Sequence, residues 1–73
     1  MENFIIEIWK MEGHDRQHGP DFIFKNIVAN SPEQALRKVL IDNKITDRVY
    51  AEVIWNENLN RQKFEDYGLG HSL

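Results

Sequence analysis

Ile27-Val28-Ala29-Asn30-Ser31-Pro32-Glu33-Gln34-Ala35-Leu36 takes the chain from a β-type run into a helix, and the order of elements follows from it. Ser31 is placed to cap the helix, because its oxygen can accept from an N–H that has no intrahelical partner. Pro32 suits the first helical position, where no N–H is required. Glu33 puts an acid in the first turn, and Gln34 stands where a capping box needs its return acceptor. Ala35, Leu36, Val39 and Leu40 then make one apolar stripe at helical spacing. Glu33 and Arg37 form a favourable (i, i+4) pair on the other side. Asn43-Lys44 offers the stop, since Asn is tolerated in the left-handed conformation.

Upstream lie two runs rich in branched and aromatic residues, Asn3 to Met11 and Asp21 to Ala29. Polar turn formers from Glu12 to Pro20 separate them, which predicts a hairpin with a long loop. Downstream, Arg48 to Trp55 is a third β-type run. The order β-β-α-β predicts an α+β domain over residues 1–56. Its three-stranded sheet has spatial order 2-1-3 by the right-handed crossover rule, with one helix on one face. Residues 57–73 are expected as a C-terminal tail, a short helix or a strap, since Phe64 and Tyr67 can share a helical face.

Side chains alternate across a strand, so each strand has two sets. A hairpin symmetric about Arg16 places Glu7 opposite Lys25, Trp9 opposite Ile23 and Ile5 opposite Ile27. The face with fewer charges, Phe4, Ile6, Ile8, Phe24, Val28, Val49, Val53 and Trp55, is assigned to the helix. The reverse face then carries Ile5, Trp9, Met11, Ile23, Ile27, Tyr50 and Ile54, crossed by Lys25, Glu7 and Glu52. A solvated antiparallel face should be mainly polar. Leaving half a dozen large apolar side chains in water would forfeit on the order of 10 kcal/mol. The expectation is therefore a cover: the tail, a second copy or a different protein.

Composition narrows the function classes. Seventy-three residues allow one domain, small enough to be marginal by itself. With no cysteine, neither a disulfide nor a thiolate zinc site can help. A formal charge of −3 gives no cationic field for nucleic acid or anionic membrane. Met1-Glu2-Asn3 has no basic n-region, and no run approaches the ~20 apolar residues of a membrane span. A cytoplasmic protein with no membrane partner is expected.

Candidate chemistry is thin. His14 and His18, with Glu12 and Asp15, are suitable metal ligands in type, but spacing of four aligns two rings only on a helix. No metal or cofactor is expected, and His71 reads as a tail residue. Glu7 and Glu52 could be paired carboxylates on adjacent strands, but a flat sheet gives little enclosure, and pairing with Lys25 explains them. No catalysis is expected. Trp9 and Tyr50 beside Lys25 suggest an alternative, a single-stranded nucleic-acid binder that stacks bases on aromatics. Glu7 and Glu52 on the same surface oppose it.

The passage Ile27 to Leu36, running from strand into capped helix after a hairpin, resembles the layout of small phage-encoded inhibitors of host proteins, such as those directed at bacterial RNA polymerase. It is similar in the same way to small accessory subunits of enzyme complexes. The resemblance covers about residues 4–55 as a pattern of elements and implies action by binding another protein. The function expected is thus a small non-enzymatic protein-binding module, a phage-type inhibitor or a homodimeric adaptor. Its partner-binding residues would be Ile5, Glu7, Trp9, Ile23, Lys25, Tyr50, Glu52 and Ile54.

Overall fold

The structure, a computed structural model, describes residues 1–11 and 19–69. The sequence-predicted loop from Glu12 to Pro20 falls mostly outside these residues. His14, His18, Glu12, Asp15 and His71, the weighed metal ligands, lie wholly outside them.

Among the described residues, four antiparallel strands form one sheet: β1 (Glu2–Lys10), β2 (Phe22–Ala29), β3 (Val49–Trp55) and β4 (Asn60–Tyr67), in the order β2-β1-β3-β4. One helix, α1 (Pro32–Asp42), packs on one face. The α+β class and the 2-1-3 arrangement of the first three strands are present. The sheet of three strands is corrected to four, because residues 60–67 pair with β3 and extend the sheet. The molecule measures 33 × 31 × 17 Å, the short axis being one sheet and one helix deep.

The helix begins at the expected serine cap, but the return bond from Gln34 reaches the amide of Asn30, one residue before the cap, and not that of Ser31. Ser31 Oγ accepts from the Gln34 amide at 3.1 Å, and Gln34 Oε1 accepts from the Asn30 amide at 2.6 Å. It ends at the expected Asn43-Lys44 stop, where the left-handed conformation falls to the lysine. Asn43 has φ −104°, and the left-handed residue is Lys44, at φ 56°. Lys44 N–H donates to the Ile41 carbonyl at 3.1 Å and Ile45 N–H to the Leu40 carbonyl at 2.9 Å. This is the Schellman pattern, and it swings Ile45 back onto the core.

The core lies between α1 and one sheet face. Ala35, Leu36, Val39 and Leu40 meet Phe4, Ile6, Ile8, Val49, Ala51 and Val53, all buried, with Phe24, Trp55, Phe64 and Tyr67 around the margin. Two bulges shape the edge strands. Between Phe4↔Ile27 and Ile6↔Phe24, β2 spends one residue more than β1, at Asn26, which has φ 59°. Between Val49↔Tyr67 and Ala51↔Phe64, β4 does the same at Asp66, φ 58°.

The register differs from expectation on both sides of the first bulge. Glu7 faces Ile23, not Lys25, and Ile5 stands opposite the bulge, not opposite Ile27. A single extra residue exchanges the faces of everything beyond it. Ile27 and Ala29 consequently turn to the helix side, and Val28, assigned to that side from sequence, turns out to the reverse face.

Candidate functional site

The reverse face and its β2 edge hold the residues singled out from sequence, and the structure separates them into two groups. Trp9, Tyr50 and Ile54 are only 7%, 5% and 4% exposed. The Trp9 and Tyr50 rings meet edge to face, with centroids 5.3 Å apart. Trp9 Nε1 is buried and has no hydrogen-bond partner among the described residues. Ile5, Glu7 and Glu52 are half-buried. The expectation that all these apolar groups await an external cover is therefore corrected: three of the largest are already withdrawn from water. Ile23, at 51% exposed, and Lys25 remain on the surface.

The charges on this face are organised by a residue the sequence reading did not use. Arg61, on β4 opposite Ile54, donates to Glu52 on β3 and to Glu7 on β1, the latter at 3.4 Å. Tyr50 Oη donates to the other Glu52 oxygen at 2.7 Å. Burial alone would raise the Glu52 pKa. The hydrogen bonds from Tyr50 and Arg61, with the positive charge of Arg61 and Lys63, outweigh it and hold the carboxyl below the usual carboxylate range. The same contacts push the Arg61 guanidinium up. Glu7 and Glu52 are a register pair, as predicted, but their counter-ion comes from β4. Lys25 makes no ion pair with them. The Glu52 carboxylate thus ties β3 to β4 through Arg61.

The two sheet edges differ in kind. The outer strand β4 reads Asn-Arg-Gln-Lys-Phe-Glu-Asp-Tyr, and its polar side chains are exposed. Charges of this density blunt an edge against further pairing. The other outer strand, β2, reads Phe-Ile-Phe-Lys-Asn-Ile-Val-Ala and contains one charge, Lys25. Ile23 and Val28 project from its reverse side and Phe22 from its helix side, all exposed. The Phe22 and Phe24 rings stack with centroids 6.3 Å apart, and Lys10 Nζ lies 5.8 Å over the Phe22 ring. Beside them, exposed Met11 lines with Phe22, Ile45 and Arg48 a groove of about 550 Å³. Val28 differs again: its carbonyl accepts from Lys38 Nζ of α1 at 3.3 Å, which covers that end of the strand.

Phe22 and Met11 were not among the expected contact residues. For Phe22 the signal was the two-sided apolar character of β2, which alternation treats as one buried face and one open face; Met11 was placed on the reverse face from sequence but not counted as a contact.

Among the described residues no group of three or more His, Cys, Asp and Glu could hold a metal ion, and no helix is long and apolar enough to cross a membrane. Compared with known proteins, the chain matches no family model, no curated protein and no solved structure.

Proposed function

We propose that the chain is a small non-enzymatic protein-binding module that takes up an extended protein segment along β2. One observation carries this: of two outer strands in the same sheet, β4 is guarded by charge and β2 is apolar on both sides. An outer strand presents unpaired N–H and C=O groups at regular intervals, and an extended partner can satisfy them while side chains at alternate positions set specificity. Ile23 and Lys25 supply such contacts on the reverse face, and Phe22 supplies one on the other. Surface occupation, the mode implied by the resemblance to phage inhibitors, needs no chemistry of the chain's own. A bracing role for Glu7 and Glu52, which share the one guanidinium of Arg61 across three strands, agrees with a non-catalytic reading. No observation favours the nucleic-acid alternative, because the Trp9 and Tyr50 rings that would stack on bases are buried.

The test is a photo-crosslinking residue placed at Ile23 or, as control, at Glu65 on β4, activated in cells of the source organism. A protein adduct from position 23 and none from position 65 is the expected result. Equal labelling, or no adduct from position 23, would remove the proposal.

A further inference from the structure

We propose that the segment taken up by β2 is β2 of a second copy of this chain, paired antiparallel about a two-fold axis through Ile23. The inference rests on the β2 edge being the binding surface, and it names the occupant.

Two independent features select the register. The first is the length of strand free to pair. Pro20 has no N–H to offer a ladder and ends it on one side. On the other side Asn26, at φ 59°, breaks the strand, and beyond it Lys38 already occupies the Val28 carbonyl. Between these limits lie the β2 residues Phe22 to Lys25 and, before them, Asp21, a bend residue whose amide still donates to the Ile8 carbonyl of β1 at 2.8 Å; the middle of these five residues is Ile23. A symmetric antiparallel pairing that uses the whole stretch must place Ile23 opposite itself.

The second feature is charge. With Ile23 at the centre, Asp21 of each copy stands opposite Lys25 of the other, and Phe22 stands opposite Phe24. Opposite charges directly across a ladder stabilise it, and like charges disfavour it. Asp21 and Lys25 are the only charged residues of the stretch, and this register pairs both. A register centred on Lys25 would oppose two cations. Lys25 is exposed and makes no ion pair among the described residues; Asp21 Oδ2 accepts from the Lys10 amide at 2.8 Å, and its other oxygen has no partner among the described residues. A two-fold axis normal to the sheet joins two four-stranded sheets into one of eight strands. Only the charged β4 edges remain outermost, so the apolar edge disappears and assembly closes at two copies.

Sedimentation equilibrium on the full chain between about 1 and 200 μM tests this, with far-UV circular dichroism confirming that each variant is folded. The wild-type chain should show a reversible monomer–dimer equilibrium. Ile23→Glu and Ile23→Lys, substitutions at an exposed position, should each be monomeric, because each opposes like charges at the centre. Their equimolar mixture should dimerise again, an outcome that only self-opposition of position 23 produces. Lys25→Asp should weaken the wild-type dimer by about tenfold or more. A wild-type chain monomeric throughout, or a mixture that stays monomeric, overturns self-pairing. If position 23 then crosslinks to a different protein, the binding surface stands and only its occupant is wrong; if it crosslinks to nothing, both fail.

Discussion

Arg61 on the outer strand β4 reaches across β3 to Glu7 on β1, 3.4 Å away, and donates to Glu52 on the way. Glu7 and Glu52 are register partners, so this one guanidinium separates two carboxylates that would otherwise face each other alone. Arg61→Leu should lower stability by about 1 kcal/mol, the modest size set by an arginine that is nearly half exposed. Urea unfolding measures it. Adding Glu7→Gln should recover part of the loss, because the repulsion goes with the charge.

The pH dependence follows from Glu52. Its carboxyl is held below the ordinary range in the folded chain, so the unfolded chain binds its proton first as pH falls. The stabilisation is complete above the ordinary glutamate value of about 4.3 and is lost as pH drops through the lowered folded value. Glu52→Gln should be less stable at pH 7 and lose less between neutral and acid pH. Thermal melts of both chains across that range decide it; parallel pH profiles would contradict it.

Lys44 and Glu57 sit at φ 56°, Lys44 at the helix end and Glu57 in the turn from β3 to β4. Side chains with a Cβ pay roughly 1 kcal/mol for that conformation, and glycine does not. Lys44→Gly and Glu57→Gly should each stabilise by up to about 1 kcal/mol, less the greater freedom of glycine in the unfolded chain. Chemical denaturation reports both.

Removal of the Ser31 hydroxyl leaves the Gln34 amide without its acceptor. Ser31→Ala should cost about 1 kcal/mol, and Ser31→Asp should retain most of the stability. The same unfolding titration compares them.

A chain ending at Asn56 should lose cooperative unfolding. It would lack the strand that covers the β3 edge, the Phe64 and Tyr67 rings at the core margin, and Arg61. It would also lose the Tyr67 hydroxyl that donates to Glu33 of α1 at 3.0 Å. A sharp thermal transition in the shortened chain would show β4 to be dispensable.

Where local chemistry decides conformation, the sequence was enough. Ser31 and Pro32 start a helix wherever an apolar stripe such as Ala35, Leu36, Val39 and Leu40 follows, because the cap bond lies within three residues. Alternation assigned β1 and β3 to their faces for the same reason, side-chain direction being a property of the strand alone. The paired position of Glu7 and Glu52 was legible too. What only the tertiary structure decided were the two bulges and what lies across each strand. Asp66 turns Phe64 and Tyr67, three apart, onto one face of a strand, and that spacing in sequence has the period of a helix. Asn26 exchanges Ile27 with Val28, and thereby moves an apolar side chain from core to surface. The cation between Glu7 and Glu52 lies fifty-four residues beyond the first and nine beyond the second. Partners across a sheet are set by register, and register is a balance of packing over the whole face that no stretch of neighbouring residues contains.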